Sequence, residues 1–128
     1  MPGLDITPPL PEGSQLIQAY GNGTFRITGE THSGSVIVFP TRTVAWSVTA
    51  PDQITLESLA EVTASVEANQ ILVVGCGSRA LPPPAGLREG LKEAGVVLEW
   101  MDTGAACRTY NVLLIDDRVV SAALIAID

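Results

Sequence analysis

The sequence predicts an α/β domain in which an antiparallel β-meander is followed by an αβαβαβ-type mixed sheet. In the first half, short runs of alternating polar and apolar residues are separated by glycine- and proline-containing turns, as is typical of antiparallel strands. In the second half, apolar runs alternate with segments of helical spacing. Because 46% of the residues are hydrophobic and 16% are charged, the chain has enough apolar surface to fold by itself.

The N-terminal segment, residues 1–13, is expected to be an extended or disordered tail. Four prolines lie in it, and proline lacks the amide hydrogen that a helix or a strand ladder needs. Residues 14–128 are expected to form a single domain, since this length suits one hydrophobic core.

Four strands are predicted in the first half of the chain. Leu16–Tyr20 and Thr24–Thr28 flank a Gly-Asn-Gly turn, which predicts a hairpin. Ser35–Phe39 and Val44–Val48 follow and complete the meander. The segment between the two pairs, residues 29–34, is read as a turn.

The first predicted helix begins near Thr55, whose hydroxyl can cap it, while Ile54 and Leu59 occupy the two positions of a hydrophobic staple. Its inward face is predicted from residues that recur at helical spacing, namely Leu56, Leu59, Ala60, Thr63 and Val66.

The rest of the second half alternates regularly. Ile71–Val74 is apolar on both faces, as expected of a strand covered on each side. A helix is predicted near Ala85–Ala94, a strand at Val96–Trp100, a helix over Thr103–Ile115 and a last strand at Val119–Ala126.

The charge of the chain disfavours several kinds of partner. Its net charge is −7 and Lys92 is its single lysine, whereas nucleic-acid binding needs clustered basic residues. The longest apolar run, Ala122–Ile127, is far shorter than the ~20 residues that span a bilayer. The N-terminal residues contain no basic residue before Arg26, so we expect no secretory peptide, no membrane insertion and a cytoplasmic location.

The mean hydropathy of +0.30 favours a protein partner or self-association.

The sequence offers little for catalysis or metal binding. Cys76 and Cys107 lie far apart and are expected to be free thiols. The single histidine, His32, is read as a solvated turn residue, so neither a zinc site nor a base for a cysteine nucleophile is predicted.

The glycine-rich loop after the buried strand formally matches a dinucleotide-binding motif. Residues 75–80 fit G-x-G-x-x-[GA], but the extended Leu81-Pro82-Pro83-Pro84 segment separates them from the next helix. Because the amides of a helix N-terminus would therefore not meet a pyrophosphate, we expect no NAD, FAD or other cofactor.

Two groups of residues remain as candidates for a ligand or partner site. In the loop, Gly75 and Gly77 allow close approach of the backbone, and Ser78 and Arg79 can donate hydrogen bonds to a small anion. Alternatively, the glycines only permit positive φ or tight packing. The second group lies on the last helix, where a few polar groups are expected to face the loop. Its members are Thr103, Arg108, Thr109, Tyr110 and Asn111.

The chain also resembles the Mth-like domain family, which includes the mitochondrial respiratory complex I assembly factor three and the adipogenesis-associated Mth domain-containing protein. The residues that carry the resemblance are Gly75-Cys76-Gly77, Pro84, Leu87, Leu91, Gly95, Glu99, Met101, Thr103, Ala106, Thr109-Tyr110-Asn111, Leu113, Arg118, Val120 and Ala122-Ala123-Leu124. The resemblance implies two sheets layered on helices, a bacterial origin, no assigned reaction, and action through protein contacts related to complex I assembly.

Two functional hypotheses follow. The leading one is a non-catalytic interaction or assembly protein, in keeping with the apolar composition and the absent catalytic base. The alternative is a small-molecule or anion-binding protein or an enzyme, which would use the loop Gly75–Arg79 and the helix Thr103–Asn111.

Overall fold

The computed structural model describes residues 10–65 and 70–128, and it confirms the predicted α/β architecture with an antiparallel first half and a mixed sheet. Two short 3-10 turns, Pro51–Gln53 and Glu57–Leu59, precede the first helix. The strands and helices in chain order are β1 (Ile17–Gly21), β2 (Thr24–Ile27), β3 (Glu30–Ser33), β4 (Val36–Val38), β5 (Thr43–Ala45), α1 (Ala60–Thr63), β6 (Gln70–Gly75), α2 (Leu87–Glu93), β7 (Val96–Met101), α3 (Thr103–Ile115) and β8 (Val120–Leu124).

The described strands form two sheets. The smaller sheet is antiparallel, with the order β1-β2-β3. The larger sheet has the order β5-β4-β8-β6-β7, in which β6 runs parallel to both β7 and β8, and β4 runs antiparallel to β5 and β8. The first-half strands therefore divide between the sheets, because β4 and β5 extend the larger one.

The segment predicted as a turn after the first hairpin is a strand, β3. His32, expected to be a solvated turn residue, lies opposite Phe25 of β2 and is half-buried, with its Nε2 4.0 Å from Oε2 of Glu30. The prediction was wrong because β3 has little apolar content, so only its pairing with β2 defines it.

The first helix, α1, begins at Ala60 rather than near the predicted cap at Thr55, because a 3-10 turn comes first; the helix is shorter than predicted and presents a different face. Thr55 and Ser58 bond to each other at this turn: the Ser58 amide donates to Thr55 Oγ1 at 3.1 Å, the Thr55 amide donates to Ser58 Oγ at 2.9 Å, and Ser58 Oγ donates to the Thr55 carbonyl at 2.8 Å. The first turn has 3-10 geometry, with three residues per turn, so Leu59 and Val62 are buried together. Leu56, predicted to face inward, is 40% exposed. The predicted Val66 lies outside the described residues.

The alternating elements of the second half agree with the sequence prediction. All six residues of β6 are buried, as expected of a strand covered on both faces. Leu87 and Leu91 of α2 point inward, and α3 spans the predicted residues Thr103–Ile115. The last strand is shorter than predicted, since β8 ends at Leu124.

The larger sheet separates two hydrophobic cores. Leu72 and Val74 of β6 face the core that includes α2, whereas Ile71 and Val73 face the core that includes α3 and the smaller sheet. This alternation follows from the two-residue period of a strand. Leu10, from the end of the predicted tail, packs against the second core.

One side chain of α3 joins the smaller sheet to the domain. Asn111 accepts a hydrogen bond from the Ile17 amide at 3.0 Å and donates one to the Ile17 carbonyl at 2.8 Å. The Asn111 side-chain amide thus makes the hydrogen bonds that a neighbouring strand would make to the first residue of β1. Both the amide and the carbonyl of Ile17 are therefore paired.

Replacing Asn111 with alanine should destabilise the fold by about 2 kcal/mol, because two partly buried backbone groups of Ile17 lose their partner. Urea unfolding of the purified chain measures the change. Glu93→Ala, at an exposed position of α2 outside this contact, should change the stability by less than about 0.5 kcal/mol. Equal stabilities of the two variants would contradict the role of Asn111.

Candidate functional site

The glycine-rich loop lies against the first turn of α3. Gly75 ends β6 so close to this helix that a Cβ atom there would lie 2.8 Å from the Cα of Thr103. Gly77 has a φ of +115°, a backbone conformation that favours glycine. The two glycines are therefore required by packing and by the path of the loop.

Thr103 makes two hydrogen bonds to the loop and a third to the segment after β8. Its amide donates to the Gly77 carbonyl at 2.8 Å, and its Oγ1 accepts from the Gly77 amide at 3.1 Å. The same hydroxyl donates to the Ile125 carbonyl, just after β8, at 2.8 Å. Because Thr103 is fully buried, these bonds satisfy polar groups that water does not reach.

An open surface pocket of about 390 Å³ lies beside the loop. It is lined by residues 76–79, by the C-terminal residues 125–128 and by residues 49–51 together with Leu81. Ser78 and Arg79 are exposed there, so both predicted donors can reach a ligand. Arg79 is the one basic residue among the described residues that line the pocket, and Asp128 contributes a carboxylate to the same wall.

Among the described residues, Thr103 is the only predicted α3 residue whose side chain is hydrogen-bonded to the loop. Thr109 donates to the sulfur of Met101 at 3.3 Å, and Tyr110 is fully buried with its hydroxyl 3.4 Å from the Phe39 carbonyl. Burial raises the pKa of the Tyr110 phenol above its ordinary value. Asn111 binds β1, as described above. The candidate residues therefore divide between the loop, the core and the outer side of α3.

Arg108 belongs to a second location that sequence reasoning missed. Its guanidinium donates to the Tyr20 hydroxyl at 3.3 Å, and the Tyr20 ring lies over Gly104 at the start of α3. A shallow pocket of about 280 Å³ lies between β1 and α3 at this point, and it also includes Cys107. Only the docking of the smaller sheet brings Tyr20 here, so no local pattern could have indicated it.

Both cysteines are buried inside the fold. Cys107 is buried, and burial raises the pKa of its thiol to about 12, so the sulfur stays protonated at neutral pH. Cys76 is also buried and donates a weak hydrogen bond to the Arg79 carbonyl at 3.2 Å. Within residues 10–65 and 70–128, no cluster of histidine, cysteine and acidic residues could hold a metal ion.

The side of α3 that faces away from the sheet carries exposed apolar residues. Val112 is 65% exposed and Ile115 is 48% exposed, while Arg108 and Asp116 lie at the two ends of the same side. We call these four residues the α3 outer face. The inner residues of the helix, such as Tyr110 and Leu114, are buried. On the outer face, Arg108 donates to the Tyr20 hydroxyl, and the apolar Val112 and Ile115 are left exposed to solvent.

Comparison with known proteins gives a family match over most of the chain. The family described as a protein of unknown function, DUF498/DUF598, matches residues 17–125. An uncharacterised protein of Rhodobacter capsulatus is 34% identical over 113 residues, which are 88% of this chain and 86% of that protein. Assembly factor 3 of the NADH dehydrogenase (ubiquinone) 1 alpha subcomplex of Danio rerio is 34% identical over 110 residues. That alignment covers 86% of this chain and 63% of the assembly factor, so this chain spans about three fifths of it.

Solved structures share the fold at high similarity. A protein of Bartonella henselae, titled an outer membrane protein, has a TM-score of 0.83 and 39% identity, covering 91% of this chain and 98% of that one. A Mth938-like domain protein of Bordetella pertussis has a TM-score of 0.77 and 27% identity, covering 95% and 92%. The predicted resemblance to the Mth-like domain family and to the complex I assembly factor is confirmed. Across the described part of the chain, no helix is both long and apolar enough for a bilayer crossing.

Replacing Thr103 with valine should destabilise the fold by about 2 kcal/mol, because the Gly77 amide and the Ile125 carbonyl lose a buried partner. Hydrogen exchange at the Gly77 amide, measured by NMR, should become faster. Thr103→Ser keeps the hydroxyl and should preserve slow exchange. Fast exchange in both variants, or in neither, would show that the hydroxyl does not hold the loop.

Proposed function

We infer that this chain, which belongs to the DUF498/DUF598 family of proteins of unknown function, is a non-catalytic interaction or assembly protein. Its proposed partners are other protein chains, and its proposed location is the cytoplasm. Both cysteines among the described residues are free thiols, which agrees with a reducing compartment.

The observation that carries this proposal is the α3 outer face. Val112 and Ile115 are large apolar side chains that are exposed on α3. The opposite side of this helix is buried against the larger sheet. Exposed apolar residues in contiguous patches mark interaction sites more often than single scattered ones do. Arg108 and the nearby Tyr20 add two residue types that are enriched at protein interfaces.

The chemistry of the described residues supports contact rather than turnover. A cysteine nucleophile needs a low thiol pKa and an adjacent base, whereas burial raises the pKa of Cys107 to about 12. Two polar residues of the candidate set, Tyr110 and Thr103, donate their hydroxyl hydrogen bonds to backbone carbonyls inside the fold.

The relatives suggest what is assembled. Proteins named assembly factor 3 of the NADH dehydrogenase 1 alpha subcomplex align with 86% of this chain in Danio rerio and with 88% of it in Homo sapiens. We propose that this chain takes part in assembling respiratory complex I by holding a subunit or an intermediate on the α3 outer face.

This proposal predicts that a photo-cross-linker placed at Val112 in the native host captures a complex I subunit or assembly intermediate. Deletion of the gene should lower the amount of assembled complex I on native gels. Because a charge on the apolar face opposes docking, a Val112→Glu copy should fail to restore assembly. Leu81, which is 44% exposed outside the α3 outer face, provides the matched control, and Leu81→Glu should restore it. Normal complex I levels in the deletion strain would contradict the proposal.

A second candidate function is the binding of a small molecule or anion at the glycine-rich loop, with or without a reaction. It is favoured by the open pocket of about 390 Å³ beside the loop. The exposed Ser78 and Arg79 line this pocket together with Gly77, which has no Cβ and so leaves its backbone open to a ligand. Two further candidates, Gly75 and Thr103, do not line this pocket and would shape the loop from behind it.

This alternative predicts that a thermal-shift screen over phosphates, carboxylates and nucleotides finds a compound that raises the melting temperature. Arg79→Ala should remove the shift, because the mutation removes the single basic side chain that the described residues place in the pocket wall. Arg88→Ala, which removes an arginine whose guanidinium binds the Leu98 carbonyl instead, should keep it. A screen that shifts neither the natural chain nor Arg79→Ala would exclude the alternative.

A further inference from the structure

The α3 outer face has a symmetric charge pattern about Val112. Arg108 lies four residues before Val112 and Asp116 lies four residues after it, so all three follow one ridge of the helix. All three side chains are exposed. A positive group and a negative group are therefore placed at equal distances, about 6 Å along the helix axis, on either side of an apolar centre.

Such a ridge is complementary to itself in the antiparallel direction. Two copies of α3 can pack antiparallel around a twofold axis at Val112. A residue that lies some positions before Val112 on one copy then faces the residue that lies the same number of positions after Val112 on the other copy. Arg108 of each copy then faces Asp116 of the other, twice, and the two Val112 side chains meet at the centre. Ile115 lies opposite the half-buried Thr109 and extends the apolar contact.

We propose that the α3 outer face binds a second copy of this chain, forming a twofold-symmetric dimer through antiparallel α3 helices. The charge pattern supports this occupant in particular, because each copy carries −7 and an arbitrary contact between two copies would oppose acidic residues. The antiparallel α3 pair instead places Asp116 of each copy opposite Arg108 of the other, whose guanidinium also donates to the Tyr20 hydroxyl of its own copy. This inference rests on the proposed function, since it names one partner for the same face.

The dimer gives the face a definite role in assembly. A complex I subunit that uses Val112 would displace the second copy, so dimer and assembly complex would exclude each other. The dimer would thereby cover the apolar residues until a partner arrives, which limits non-specific association of an exposed apolar patch.

A charge-swap experiment tests the dimer. Sedimentation velocity over a concentration series should show a monomer–dimer equilibrium for the full chain. Arg108→Asp or Asp116→Arg alone places like charges opposite each other twice, and each should weaken the dimer at least about tenfold. The double variant Arg108→Asp/Asp116→Arg should restore it. Mixing the two single variants should form a heterodimer, because one copy then carries two acidic groups and the other two basic groups.

Controls keep folding apart from association. Arg108 and Asp116 are exposed, and an arginine at the helix C-terminus is compatible with the helix dipole, so urea unfolding should remain cooperative in every variant. Val112→Glu should abolish the dimer, whereas Leu81→Glu, a similar change outside the α3 outer face, should leave it intact.

The outcomes separate this inference from the proposed function. A chain that is monomeric at every concentration, or a dimer that is indifferent to the charge swaps, overturns the dimer. If Val112 still cross-links to a complex I subunit in that case, the proposed function stands. A dimer that obeys the charge swaps supports the inference even if the deletion strain assembles complex I normally, and the proposed function then fails alone.

Discussion

The close contact between the end of β6 and the first turn of α3 is the constraint on which the rest of the structure depends. Gly75 permits this approach because it has no Cβ, and the buried Thr103 hydroxyl then satisfies backbone groups of both the loop and the segment after β8. An unpaired buried amide or carbonyl would cost about 1–3 kcal/mol, so the three segments are stable only together. The helix is thereby fixed across β6 and β8.

The position of α3 determines what each of its sides does. Its inner side closes the second core, where Tyr110 is fully buried. One flank carries Asn111, which holds β1 and with it the smaller sheet. The outer side is left with Val112 and Ile115 exposed. The one helix therefore joins the two sheets and also presents the surface through which we propose that the protein acts.

The same packing determines what the buried polar residues of the candidate set do. Burial keeps the Cys107 thiol protonated, and the hydroxyl groups of Thr103 and Tyr110 are directed to backbone carbonyls. Their hydrogen bonds account for their presence without any substrate. The open pocket beside Arg79 is the part of the candidate site where a ligand has access, and none of these three buried residues lines it.

The sequence by itself determined the elements whose signals are local. The apolar run of β6 and the helical span of α3, Thr103–Ile115, are short-range features. The start of α3 is local too, since the Asp102 side chain accepts a hydrogen bond from the Ala105 amide at 3.0 Å. Only the tertiary structure decided that β3 is a strand, that Tyr20 meets Arg108, and that the predicted site residues separate between loop, core and surface. These depend on contacts between residues far apart in the chain, and hydrophobic periodicity carries no information about which distant segments will pair.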